Sequence, residues 1–169
     1  TIVVDSTDDF VGMCRNLGFS LSLYSGQMCT TPQNILVPRD GIATDQGHKS
    51  YEEVVAAISE AVWKVAGADP ARGVEITGAI AGEVALGSVS LEHPSYPDAV
   101  IRTPLILKQS ADRTDVLARE WFGPIYFVVA TDSTEQSLAL FRKLVSEHGA
   151  ITAGVYSTDE RVLAQMEEA

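Results

Sequence analysis

Six consecutive residues, Ile125-Tyr126-Phe127-Val128-Val129-Ala130, read as a strand with no polar face. Such a strand has to be covered on both sides. That is the habit of a parallel sheet packed between helices, not of an antiparallel sheet with one wet face. The rest of the chain supplies the cover. Thr1–Asp5 reads as a buried strand, and the Ser6-Thr7-Asp8-Asp9 cluster caps a helix expected over about residues 8–25. Gly12 and Gly18 weaken that helix or mark close packing. Asn34–Pro38 is a second strand and residues 39–49 a polar loop. Ser50 caps a helix running to about Gly67, with Val54, Val55, Ile58, Ala61, Val62 and Val65 at helical spacing.

Residues 72–90 are Gly-rich and apolar, and read as a helix with loops around it. Ala99–Arg102 and Pro104–Lys108 are two short strands, and 109–119 is loop or short helix. Ser133 caps a helix to about His148, Ile151–Tyr156 is a strand, and Thr158–Glu168 is a last helix. Strand and helix alternate. The expected fold is therefore α/β, a three-layer α/β/α arrangement with a mainly parallel sheet, forming one domain over residues 1–169.

At 169 residues the chain is long enough to bury a substantial core. A formal net charge of −11, with scattered Lys and Arg, argues against a nucleic-acid partner, whose phosphates need clustered cations. No apolar run approaches the roughly 18 residues of a membrane span. The start at Thr1 carries no basic leader and no initiator Met, so the expectation is a cytoplasmic chain cut from something longer. Cys14 and Cys29 form no CxxC and have no paired His, so neither a disulfide framework nor a metal site is expected.

The chemistry concentrates in two places. Cys29 lies in Tyr24-Ser25-Gly26-Gln27-Met28-Cys29-Thr30-Thr31-Pro32, on a short connection between helix and strand where a side chain can face a cleft. A buried core thiol is the competing reading. Nucleophilic work needs thiolate, of which a free cysteine supplies only a few per cent at neutral pH. Cys14, mid-helix beside Met13 and Leu17, reads as structural. Glu120 opens the second place, Glu120-Trp121-Phe122-Gly123-Pro124, where a Gly-Pro turn precedes the apolar strand. A carboxylate there can hold two ribose hydroxyls and an aromatic can pack on a planar ring, although a lone Glu before an aromatic is commonly just surface. The glycines of 73–87 lack a P-loop and a GxGxxG, so tight packing explains them better. His48, His93 and His148 are isolated on loops or helix ends.

Gly26-Gln27-Met28-Cys29-Thr30-Thr31-Pro32-Gln33-Asn34 resembles the nucleophile motif of the aldehyde dehydrogenase superfamily, and Glu120-Trp121-Phe122-Gly123-Pro124 resembles its E-x-F-G-P cofactor motif. Thr1–Asp9 looks like the strand and acidic cluster that begin that family's catalytic domain. Thr152-Ala153-Gly154-Val155-Tyr156-Ser157-Thr158-Asp159 looks like its later strand and helix start. The order and spacing agree across nearly the whole chain, and the wording around Cys29 looks most like the phenylacetate-degradation branch.

The resemblance implies the catalytic-domain fold of that family and an NAD- or NADP-dependent oxidation. Cys29 would attack a small-molecule aldehyde to give a thiohemiacetal and then a thioester, with its backbone N–H helping to hold the oxyanion. Water or a thiol such as coenzyme A would release the acyl group. Glu120 would hold the nicotinamide ribose and Phe122 would lie against the nicotinamide.

The family's general-base glutamate, its Rossmann cofactor domain, its oxyanion Asn and its C-terminal oligomerisation strand have no counterpart in this sequence. The chain is thus expected to be an excised catalytic domain, inactive or nearly so alone, whose parent is a homo-oligomer. Two rivals stand beside this reading: a non-catalytic scaffold relative, and a thiol acyltransferase without redox chemistry.

Overall fold

The computed structural model describes residues 1–66, 84–85, 90–93, 95–102 and 104–169. Its strands are β1 (Ile2–Val4), β2 (Ser6–Thr7), β3 (Asn34–Pro38), β4 (Ile42–Thr44), β5 (Gly47–Lys49), β6 (Val84–Ala85), β7 (Ser90–His93), β8 (Tyr96–Arg102), β9 (Leu105–Ser110), β10 (Ile125–Thr131) and β11 (Gly154–Tyr156). Its helices are α1 (Phe10–Ser22), α2 (Tyr51–Ala66), α3 (Thr114–Leu117), α4 (Thr134–His148) and α5 (Glu160–Glu167).

The main sheet runs β11-β1-β3-β10-β9-β6, with the first five strands parallel and β6 antiparallel at its edge. Side chains alternate across it with the strand period of two. Val4, Ile35, Val37, Ile106, Tyr126 and Val128 pack with α1 and α2 on one face. Val3, Leu36, Leu107, Phe127 and Val129 pack with α3 and α4 on the other, where Val162 and Met166 of α5 also press. The three layers and mainly parallel sheet are those expected. Each fully buried aliphatic or Phe side chain contributes about 1.5–3 kcal/mol, so β10, buried along its whole length, anchors both cores.

Local signals explain most boundaries. Asp9 caps α1 by accepting from Gly12 N–H at 2.8 Å. Ser50 and Glu53 form a reciprocal capping box on α2, with Glu53 accepting from Ser50 N–H at 2.8 Å. Ser133 caps α4 and Asp159 caps α5. Gly18 marks close packing: a Cβ there would lie 2.8 Å from the backbone of Ala61, so α1 and α2 touch backbone to backbone.

Three expectations need correction. The first helix stops at Ser22, where Leu23 leaves the helical region at ψ 124° and Tyr24 takes φ +49°, and Leu23–Gly26 continues as a tighter 3-10 turn. The supposed polar loop 39–49 holds the β4–β5 hairpin, whose β4 also pairs with β2. The last strand is only Gly154–Tyr156, with Ile151 exposed. The helix expected within 72–90 falls outside the described residues, apart from β6 and Ser90.

Candidate functional site

Strands β1, β3, β10 and β11 all begin at one edge of the sheet, and the chain leads into each of them from a loop. Cys29 sits on the loop that enters β3. A turn closed by Thr31 N–H donating to Met28 C=O at 3.0 Å places it in a central position. The side chain is exposed, which removes the core-thiol reading. Cys14 is the opposite case: it is buried in α1, and burial pushes its thiol up to about 11.

The Glu120 segment enters β10. Gly123 N–H donates to Trp121 C=O at 2.9 Å and Ile125 N–H to Gly123 C=O at 2.8 Å, so the Gly-Pro turn forms as expected. Trp121 is fixed by its indole N–H donating to Val116 C=O at 3.1 Å and by the Arg119 guanidinium 4.5 Å above its ring.

The two motifs meet directly. A Cβ on Gly26 would lie 2.5 Å from Gly123 C=O and 2.7 Å from the Tyr126 hydroxyl. Only glycine tolerates both that approach and the positive φ. Tyr126 in turn donates to Leu21 C=O, and burial pushes its phenol well up. The backbone of the thiol motif is thus pressed against the Phe-Gly-Pro turn of the other.

Side chains add further ties. Gln33 Oε1 accepts from Trp121 N–H at 3.2 Å, Asn34 Nδ2 donates to Leu117 C=O at 2.8 Å, and Thr152 Oγ1 donates to Thr30 C=O at 3.1 Å.

Between these loops opens a cleft of about 520 Å³, with Cys29, Thr31, Gln33, Asn34, Arg119, Glu120, His148 and Thr152 among its walls. The structure therefore brings Cys29 and Glu120 to one cleft. Phe122, about half exposed, is not among its lining residues. Buried polar atoms normally have partners, and each exception calls for an explanation. Thr31 Oγ1, Gln33 Nε2 and Asn34 Oδ1, all on cleft-lining residues, are buried without one.

Sequence reasoning missed Gln33, Asn34, Thr152 and His148 as wall residues. Gln33 and Asn34 sit inside the quoted motif, but their partners are far away in sequence. His148 reads as isolated in the sequence, and only the fold carries the end of α4 to the thiol loop. Among the described residues no helix is long and apolar enough to cross a membrane.

The profile of the aldehyde dehydrogenase family matches residues 1–169. The chain is 50% identical to an NAD-dependent aldehyde dehydrogenase from Burkholderia multivorans, with a TM-score of 0.85 over 99% of this chain and 32% of that one. An NAD-dependent benzaldehyde dehydrogenase from Corynebacterium glutamicum is 19% identical, with a TM-score of 0.58 over 99% and 36%. An aldehyde dehydrogenase from Mycobacterium tuberculosis, solved with NAD+, is 16% identical, with a TM-score of 0.61 over 98% and 36%. The last two show the fold alone. The chain spans about a third of the length of each. Among curated proteins there is no match.

Proposed function

The chain belongs to the aldehyde dehydrogenase family, and on that footing we propose that it is the thiol-bearing catalytic domain of a nicotinamide-dependent aldehyde dehydrogenase. The observation that carries this is the shared cleft: Cys29 and Glu120, from distant segments, line one cavity because their motifs are pressed together at Gly26 and Gly123. The rest of the full-length protein supplies the main cofactor-binding domain and the general base.

The groups present fit a nicotinamide dinucleotide. A ribose diol offers two O–H donors to a carboxylate such as Glu120, and the orphaned Gln33 Nε2 is a donor in want of an oxygen. When bound, that group supplies a hydride acceptor. The Cys29 thiol gives its proton to the general base, its Sγ adds to the aldehyde carbonyl carbon, and the carbonyl oxygen takes the electron pair. The Cys29 backbone N–H, uncommitted among the described residues, donates to that oxygen. Departure of hydride from the same carbon restores the C=O as a thioester on Cys29. Water, or a thiol such as coenzyme A, then adds to the thioester and expels the Cys29 sulfur.

The wording Gln27-Met28-Cys29-Thr30-Thr31-Pro32-Gln33-Asn34 further supports an aldehyde or semialdehyde of aromatic-compound catabolism as substrate, phenylacetate breakdown foremost, handled in the cytoplasm. Identity to an NAD-dependent enzyme favours NAD over NADP.

The test is nicotinamide reduction by the full-length enzyme across a panel of aldehydes, wild type against Cys29→Ala. Loss of aldehyde-dependent reduction with the fold intact supports the mechanism. Equal activity in both forms removes Cys29 as nucleophile. Silence of the wild type with every aldehyde and both cofactors moves the acyltransferase and scaffold readings ahead.

A further inference from the structure

We propose that Gln33 is a positioning residue that sets the Glu120 carboxylate against the Cys29 thiol; this rests on the reading of the cleft given above. Gln33 ends the thiol loop, and its backbone C=O accepts from Phe127 N–H at 2.9 Å, which fixes it to the start of β10. From that fixed point its side chain reaches the Glu120 segment. The Oε1 accepts from the backbone N–H of Trp121, the residue bonded to Glu120. Among the described residues no other side chain on the thiol loop is seen to hold the Glu120 segment this near its carboxylate: Asn34 reaches Leu117, earlier in the chain, and the remaining tie to the loop comes from Thr152 to Thr30.

Two features separate Gln33 from a structural peg. Its Nε2 is buried and unpartnered, so only one end of the amide is used by the fold. Glu120 itself is exposed and is held by its backbone alone among the described residues. Moving the Trp121 N–H therefore moves the carboxylate relative to a thiol whose own turn, closed by Thr31 and Met28, is independent of it. Loss of the tie acts on whatever Glu120 holds and leaves the reactivity of Cys29 alone.

The experiment uses the full-length enzyme with NAD and, separately, NADP. Gln33→Met keeps the length and removes the acceptor, while Gln33→Glu keeps an acceptor for Trp121 N–H. Expected for Gln33→Met is a rise of about tenfold in KM for the better dinucleotide, equivalent to about 1.4 kcal/mol. Alkylation of Cys29 by iodoacetamide stays within about twofold of wild type, and Gln33→Glu recovers most of the KM.

An unchanged KM in Gln33→Met overturns the proposal. So does an equal rise in both variants, or a fall in Tm as the sole effect. Cys29→Ala and Glu120→Gln are run alongside. A dead Cys29→Ala with a normal Gln33→Met sinks the positioning role only, whereas an active Cys29→Ala sinks the reading of the cleft and this role with it.

Discussion

The two ends of the parallel sheet are built from the same strands and use polar groups in opposite ways. At the carboxyl ends, Asp5 gathers hydroxyl donors: Thr134 at 2.6 Å, Ser157 at 2.7 Å and Ser6 at 3.1 Å. Around it lies an open hollow of about 460 Å³ walled by Asp40, Asp132 and Glu135. At the amino ends lies the Cys29 cleft, with three buried polar atoms left unpaired. Open α/β sheets ordinarily bind ligands outside their carboxyl ends. Here that end is acidic, which repels an anionic dinucleotide, and its hydroxyls are committed to Asp5. Among the described residues most of the unpaired polar atoms are at the other end, with the thiol, while Gln109 Nε2 is the one at the carboxyl end of β9. In this domain the proposed site is the end with more unpaired polar atoms, against the usual preference of strand direction.

The contrast can be broken or sharpened by substitution. Cys29→Ala in the full-length enzyme is expected to cost at least about a thousandfold in aldehyde-dependent reduction. Glu135→Gln at the carboxyl end should leave turnover within about twofold; comparable losses at both ends would erase the distinction.

Next in size is Gly26→Ala, which forces a Cβ onto Gly123 and strains a positive φ. A stability loss of about 2–4 kcal/mol is expected by urea denaturation, with activity falling in the protein that remains folded. Asp5→Ala strips a carboxylate from its hydroxyl donors and should cost about 2–3 kcal/mol while sparing iodoacetamide labelling of Cys29.

The smallest effect concerns acid. The Arg161 side chain, 2.7 Å from Asp159, holds that carboxyl down at about 2 in the folded state against an ordinary 3.8. A depressed carboxyl pKa stabilises above the unfolded value, so this contribution is present above about pH 4 and fades as pH falls towards about 2. Asp159→Asn keeps the helix cap, and its deficit in urea midpoint should be visible near neutrality and vanish by about pH 2. A deficit that persists there would assign the effect to the cap instead.

What the sequence disclosed follows the range of the forces involved. Strand β10 was legible because burial on both faces demands a continuous apolar run, and the starts of α2 and α4 were legible because Ser50 and Ser133 act on neighbours a turn away. Cys29 and Glu120 were legible as motifs. The β4–β5 hairpin was not: its residues are polar and short, and Asp45 at its tip is held by a long-range bond from Phe10 N–H at 2.8 Å. Gln33, Asn34 and His148 were hidden for the same reason. Their roles in the cleft depend on groups brought near by the fold, and nothing in the local pattern names those groups.

The pairing of Asn34 with Phe127 has a consequence for how such a cleft can vary. The ladder indexes the thiol loop to the sheet, so the stretch from Thr30 to Gln33 works as a gauge of fixed length. One residue added or removed there displaces the Cys29 thiol by up to about 3.3 Å, a full strand step, while the β3–β10 ladder stays in register. On the proposed reading, reactivity could thus be switched off by a single codon while the sheet kept its register, at the expense of the loop's own ties to Trp121 and Thr152.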